Sequence, residues 1–488
     1  MPSPSSAPVV WKRRVLMAAA LAALTGCKAV GPDFKTPLPP HAGGFAMQGD
    51  AVPAEVRLTA DGRSAGAWWR SFGSPQLNEV MAQALAGNQT VAAANANLER
   101  LNDLVRADRA ARYPQVTANA GVQRERINLS AFGFRGFPGF PPLQNPTISL
   151  YSVGGQVSYD LDLFGGVRRG VEAARAQRDA QQFRADAAYL TLTGDVAMAA
   201  AQIAAMRARL AALQAIVADD RRTLDIVHAA EAAGGEAPSA ARGGQAQLAA
   251  DLALIAPIEQ QIARERHALA LLVGQAPSSW TPPDFDVASF NPPATIDLGV
   301  PSALVRRRPD IQAAEADLHA ATAELGVASA NLYPDIRLTA GLTQSALTPG
   351  AIFNWASTGY TLGAGLTAPI FDGGALRARR RAAQAQTRVA LAQYRQTILT
   401  AFNQVADALT GVARDDEQIA ALTRAQDVAL AALEDSRNAL RLGGGNLASV
   451  VVAQRQANRA RMDLVQAQSQ RLADLVTLSA AVAGDWRS

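Results

Sequence analysis

Arg112-Tyr113-Pro114-Gln115-Val116-Thr117-Ala118-Asn119-Ala120-Gly121 and Leu332-Tyr333-Pro334-Asp335-Ile336-Arg337-Leu338-Thr339-Ala340-Gly341 are two copies of one pattern. Each follows a helical stretch. Each leads into a glycine-rich segment and then into an aromatic-and-glycine junction. The junctions are Leu163-Phe164-Gly165-Gly166 and Ile370-Phe371-Asp372-Gly373-Gly374, and a long alanine-rich helix follows each. A pattern that recurs at this scale marks an internal repeat. The first copy has about a dozen more residues before its junction, including Phe132-Gly133-Phe134 and Phe137-Pro138-Gly139-Phe140, which read as an exposed loop.

The segments after each Tyr-Pro alternate apolar and polar residues with a period of two, the signature of strands. Val116, Ala118, Ala120 and Val122 oppose Thr117, Asn119, Gly121 and Gln123. Leu362, Ala364, Leu366 and Ala368 oppose Thr361, Gly363, Gly365 and Thr367. The alternation predicts four strands, near residues 114–128, 150–162, 334–345 and 358–369. About ten residues per strand suits a transmembrane β-barrel, although a half-buried soluble sheet alternates in the same way. Four strands cannot close a barrel, since the smallest closed membrane barrels have about eight. If these strands span a bilayer, several chains share one wall, and three chains supply twelve strands.

The helices that follow are long, over 166–230 and 375–442, and neither contains an internal proline. At 1.5 Å per residue each extends about 100 Å, enough to bridge much of a periplasm. Each ends at a glycine turn, Gly234-Gly235 or Gly443-Gly444-Gly445, and is followed by a returning helix. Leu210, Leu213 and Val217, then Leu224 and Val227, have coiled-coil-like spacing. A solid coiled-coil rod is the plain alternative, but it leaves the paired hairpins unexplained.

The N-terminus reads as a targeting signal. Lys12-Arg13-Arg14 precedes the apolar run from Val15 to Leu24, too short to span a membrane as an ordinary helix. Leu24-Thr25-Gly26-Cys27 resembles a bacterial lipobox, in which the cysteine becomes the lipidated first residue; Cys27 is also the single cysteine of the chain. Residue 28 is Lys and not Asp, which by resemblance to enterobacterial lipoproteins favours outer-membrane delivery over inner-membrane retention. Beyond it the proline- and glycine-rich stretch 31–53 reads as an extended arm.

Composition excludes several functions. Of 488 residues, 49% are hydrophobic but only 6% aromatic, a mix suited to closely packed helices. The net charge of +4 includes three basic leader residues; without them it is +1. Charges of both signs are interspersed, so no basic stripe suggests nucleic acid. A lone cysteine allows no internal disulfide, and the four histidines form no metal motif. No Walker loop or nucleophile elbow occurs. The chain reads as a non-enzyme with no catalytic residue, metal or cofactor.

In several specific stretches the chain resembles the TolC-like outer membrane factors, in particular the NodT/OprM-like lipoprotein branch of multidrug efflux channels. Val30-Gly31-Pro32-Asp33-Phe34 follows the cysteine, and Trp68-Trp69-Arg70-Ser71-Phe72 precedes Pro75-Gln76-Leu77. Leu272-Val273-Gly274-Gln275-Ala276-Pro277 closes the first half. Val305-Arg306-Arg307-Arg308-Pro309-Asp310-Ile311 precedes Ala314-Glu315. In this last stretch Pro309 and Asp310 fit a helix start, so its role reads as structural.

The resemblance implies a mostly α fold with a small β part, in two helix–β-hairpin–helix repeats per chain. It further implies a homotrimer with a twelve-stranded transmembrane barrel continuous with a long periplasmic α-helical barrel. On this basis residues 1–26 are a signal peptide, and 27–77 a lipidated arm with an equatorial segment. Residues 78–274 form the first repeat, 275–308 an equatorial linker, 309–482 the second repeat and 483–488 a tail. The implied partners are outer-membrane lipid, a periplasmic adaptor and an inner-membrane efflux pump of the RND type. The tip glycines Gly234, Gly235, Gly443, Gly444 and Gly445 are the candidate adaptor-docking surface. The implied function is passive exit of drugs and other toxic small molecules; type I protein secretion uses the same architecture, and a lipid-anchored structural coiled coil is the more distant alternative.

The resemblance also assigns the closed aperture to a stretch that here reads Val452-Ala453-Gln454-Arg455. Arg455 matches the family arginine. Val452 stands where the family has aspartate, and Ala448 where a bulky apolar residue is common. Three carboxylates at a constriction attract cations, whereas three valines make a ring that can gate by dewetting. The other reading is that Val452 packs between helices.

Overall fold

The computed structural model describes residues 29–483 apart from 41, 54–55, 60–65, 129–144 and 294. The leader, Cys27, the loop at 132–140 and residues 484–488 lie outside the described residues. The chain forms two compact units, and several long helices contribute to both.

The first unit comprises residues up to 36, 100–179 and 316–391. Helix α2 (Gln89–Ala110) ends where Pro114 cannot continue it. The Tyr113 amide closes a last turn on the Ala110 carbonyl at 3.0 Å, and β2 (Gln115–Arg126) begins. The second repeat does the same. Helix α7 (Pro309–Ala330) ends with Tyr333 N–H donating to Ala330 O at 2.9 Å, before Pro334 and β5 (Asp335–Ala346). With β3 (Thr147–Asp160) and β6 (Thr358–Thr367) these strands form one antiparallel sheet in the order β2-β3-β5-β6.

An aspartate restarts the helix after each hairpin. Asp162 has φ 45° and accepts from the Val167 and Arg168 amides at 2.8 and 3.0 Å, opening α3 (Gly166–Ala232). Asp372 accepts from the Leu376 and Gly374 amides at 2.7 and 2.8 Å, opening α8 (Ala375–Arg441). Those bonds, the one from Leu376 foremost, hold Asp372 below the usual carboxylate range. The two long helices have 67 residues each.

The segment after Ala29 lies against α3 and α7 as a strap. Gly31, at φ +95°, rests on Gly326, and a Cβ built on it would lie 2.6 Å from Gly326 Cα. A side chain at Gly31 would push the strap away, and one at Gly326 would meet the Arg169 side chain at 2.8 Å. Arg169 holds the Asp33 carboxylate at 2.6 Å and Glu172 at 2.7 Å. Glu172 in turn bonds His319 at 3.0 Å, on which Phe34 stacks with ring centroids 4.4 Å apart.

The second unit comprises residues 37–99, 180–315 and 392–488. Helix α1 (Pro75–Gly87) starts with Ser74 accepting from the Leu77 amide and proline in its first turn. Ahead of it a 3-10 turn, Trp68–Phe72, buries all three aromatics of the Trp-Trp-Arg-Ser-Phe stretch. The Trp68 indole N–H donates to Thr193 Oγ1 at 3.2 Å. Short parallel strands β1 (Val56–Thr59) and β4 (Ile296–Gly299) pair in the same unit. The alanine-rich stretch of α3 from Val196 to Ala205 is nearly all buried within this unit.

The chain returning from the first tip is two helices, not the single one read from the sequence. These are α4 (Pro238–Ala253) and α5 (Ile255–Val273). Pro257 explains the break, because it has no N–H to offer the carbonyl of Ala253. The stretch around Pro309 holds a further surprise. Arg308 ends α6 (Pro301–Arg307), and its nearly buried guanidinium bonds Asp310, Gln404 and the Ala481 carbonyl. Proline capping and the helix dipole account for Pro309 and Asp310. The arginine is what ties the linker to α8 and to α9 (Leu447–Val482).

Candidate functional site: the exposed sheet and the helical tip

Strand register puts the apolar residues of the first unit on one face. Val116 lies opposite Val157, and Val122 opposite Tyr151. Val157 lies opposite Ala340, and Tyr159 opposite Leu338. Ala340 lies opposite Leu362, and Leu342 opposite Tyr360. Directly opposed residues share a face, so these pairs make one apolar surface, which gives way to Arg124, Ser149, Gln344 and Thr358 toward the β2–β3 and β5–β6 connections. The other face carries Thr117, Gln156, Ser158, Thr339 and Thr361.

Nothing described in the chain covers the apolar face. Val116 is 73% exposed, Leu362 76% and Tyr360 80%. A contiguous apolar surface of this kind marks a membrane or protein contact. Exposed aromatics band both ends. Phe353 and Trp355 sit in the β5–β6 connection. Tyr113 and Phe371 sit at the helical end, where Phe164 also stacks on Tyr333 at 4.6 Å. Aromatic girdles flanking an apolar band of about ten residues are the pattern of outer-membrane strands. The sequence reading found the alternation but not these girdles; the aromatics clustered at both hairpin ends were the available signal. The outer edges of β2 and β6 have no partner strand among the described residues.

The second unit carries the tip. The α3–α4 turn closes with Gly234 at φ +75° and the Gly235 amide donating to Ala230 O at 2.9 Å. The α8–α9 turn closes with Gly443 at φ +79° and the Gly444 and Gly445 amides both donating to Ala439 O at 3.0 Å. Gly445 is needed for space, since a Cβ there would lie 2.8 Å from the Leu440 nitrogen. Asn446 then caps α9 by accepting from the Ser449 amide. Leu447 packs with Val227 and Ala241, which brings the two turns together.

Ala448, Val452 and Arg455 form an exposed stripe on α9, opposite the buried Val450, Ala453 and Ala457. Val452 is 61% exposed, so within the chain it does not pack between helices. The stripe lines a groove of about 260 Å³ together with Asp220 and Glu236.

Asp220 was not foreseen from the sequence. Burial, reinforced by the Asp251 carboxyl, pushes it up to about 7, and Arg455 opposes the shift. Asp415 behaves alike. Burial and the facing Asp474 push it up to about 7, and Gly411 leaves the room Asp474 needs. Neither pair is visible in the sequence, because the partners sit on different helices. A folded-state pKa above the unfolded value means that folding binds protons, so stability falls as pH rises from about 4 to about 7 and then levels off. The thermal midpoint in detergent should fall over this range, and Asp415→Asn should flatten the profile. An unchanged profile in the variant would contradict the assignment.

A sheet that turns an unpacked, aromatic-banded apolar face outward and feeds into 67-residue helices defines a subunit of an outer-membrane channel. The chain belongs to the outer membrane efflux protein family, whose pattern matches residues 80–275 and 300–484. It is 29% identical to the pyoverdine export outer membrane protein OpmQ of Pseudomonas aeruginosa, over 96% of this chain and 97% of that one. It is 30% identical to nodulation protein T of Rhizobium leguminosarum bv. viciae, over 96% and 93% of the two chains. The solved structure of the outer-membrane channel OprN superimposes with a TM-score of 0.83 at 26% identity, covering 94% of this chain and all of that one. OpmQ is an export outer membrane protein and OprN an outer-membrane channel. The protein is an outer-membrane efflux channel component, and its helices extend into the periplasm.

Proposed function

We propose that three copies of this chain close one twelve-stranded barrel and one α-helical tube, through which small molecules leave the cell passively. The observation that carries this is the sheet with an uncovered apolar face and two open edges. In a bilayer every backbone polar group needs a partner, and an open edge cannot face lipid. β6 of one copy pairing with β2 of the next satisfies both edges. The polar face then lines the lumen. Solubilised protein should run as a heat-resistant trimer with mixed α and β circular dichroism. A monomeric rod without β signal would overturn the reading.

Cys27 anchors each copy by its acyl groups, and intact-mass analysis of the mature chain tests this. An adaptor docks on the tip turns around Gly234, Gly235, Gly443, Gly444 and Gly445 and delivers cargo from an inner-membrane pump of the RND type. Cargo follows the relatives only in class, as small exported compounds. Susceptibility of a deletion strain to antibiotics, solvents and dyes identifies it.

At the closed end the exposed Val452 replaces a family carboxylate, so three valines ring the aperture. We expect block of single-channel conductance by cobalt hexammine from the tip side to be weak, and Val452→Asp to strengthen it. Strong block of the unaltered channel would contradict this, and would point to Asp220 and Glu236 as the residues that draw the cation.

A further inference from the structure

The strap after Ala29 identifies the side of the first unit that turns toward the membrane anchor. Arg169 and Glu172 hold it from α3. At 3.6 residues per turn, Arg168 and Arg175 fall on the same side of α3. Gln177, bonded to Glu324 of α7 at 2.9 Å, falls on the opposite side.

α2 and α3 enclose a cleft of about 410 Å³, lined by Asn102, Val105, Arg106, Arg109, Arg175 and Arg178, and Arg175 places one edge of it on the strap side. Arg106 pairs with Asp103 at 2.8 Å and Arg178 with Asp179 at 3.1 Å. Arg109 and Arg175 have no ion pair among the described residues. Two of the four guanidiniums thus have a carboxylate partner, and none of the six lining residues is acidic, so the cleft itself holds excess positive charge. Arg175 and Arg178 are half-buried beside the buried Val105, which limits how far the charges can spread apart.

The depth is also informative. Arg109 lies in the last turn of α2, just before β2, and Arg175 in the third turn of α3, just after β3. At 1.5 Å per residue both lie within about 15 Å of the sheet-side ends of their helices. Arginine side chains snorkel toward the interface, which carries these guanidiniums to headgroup level. The planar fork of each guanidinium matches phosphate oxygens.

We propose that the Arg106–Arg109–Arg175–Arg178 cleft binds the phosphodiester headgroup of an anionic glycerophospholipid in the periplasmic leaflet of the outer membrane. The excess positive charge favours such a lipid over a zwitterionic one, whose cationic group it repels. The inference rests on the membrane reading of the sheet, so trimer assembly and conductance are verified first; their failure indicts that reading and not the cleft.

The test uses the full-length trimer in nanodiscs of phosphatidylglycerol mixed with phosphatidylcholine. Lipids retained on transfer to detergent are counted by native mass spectrometry. The unaltered protein should retain phosphatidylglycerol in preference, and Arg109→Gln with Arg175→Gln should reduce that retention by roughly tenfold or more. Arg388→Gln with Arg395→Gln removes the same charge from exposed positions on α8 and should change little. Equal retention of both lipids, or equal loss in both variants, would overturn the site. Tight binding of inorganic phosphate alone, lost in the cleft variant, would assign the cleft to a soluble anion and overturn the lipid.

Discussion

Leu362→Arg should keep the protein from assembling in the outer membrane, whereas Thr361→Arg, one residue away, should be tolerated. Leu362 sits at the middle of β6 on the apolar face and is 76% exposed. A charge on the lipid face at the bilayer midplane costs about 2–4 kcal/mol, and the cost falls toward the interfaces. In the proposed trimer it is incurred three times. Thr361 lies opposite Gly341 on the other face, which in the proposed trimer lines the lumen. Heat-resistant trimers recovered from outer membranes measure the contrast. Equal recovery of both variants would mean that the apolar face does not meet lipid.

Phe72→Ala should have the largest effect in the second unit, about 3–5 kcal/mol. Phe72 is fully buried, and Trp68 meets its ring edge-on at 6.1 Å. The Phe72 carbonyl accepts from the Asn291 amide at 2.7 Å, so the cavity would open beside a linker contact. Leu271→Ala is the control, because Leu271 is 75% exposed and its loss should cost little. The thermal midpoint of purified protein reports both. A shift for Phe72→Ala no larger than that of the control would contradict this account of the packing around Phe72.

The elements governed by local chemistry were legible in the sequence. Tyr-Pro ends a helix and starts a strand in both repeats because proline lacks an N–H and restricts the residue before it. The period-two alternation places strands near 114–128 and 334–345, and the structure has them at Gln115–Arg126 and Asp335–Ala346. The glycine turns mark the ends of both long helices, which stop at Ala232 and Arg441. The break between α4 and α5 escaped notice although Pro257 announces it. Arg308 was read through its neighbours Pro309 and Asp310, because a buried guanidinium with partners on two distant helices leaves no local periodicity.

The tip divides the same way. The stripe of Ala448, Val452 and Arg455 follows from helical spacing. The carboxyl of Asp220 beside it does not, since its partner Asp251 lies on another helix. Two acids, Asp220 and Glu236, line the groove beside Val452. Similarly, the four arginines between α2 and α3 lie in two sequence clusters that only the fold joins.

The central claim is that β2 and β6 are completed by neighbouring copies. Cysteine pairs, one in β2 and one in β6, test it directly once their register is scanned and Cys27 is left in place. Oxidation in native outer membranes should link three chains into a closed covalent trimer, seen on a denaturing gel and reversed by reductant. Monomers alone across every register, or chains linked only to themselves, would contradict the shared barrel.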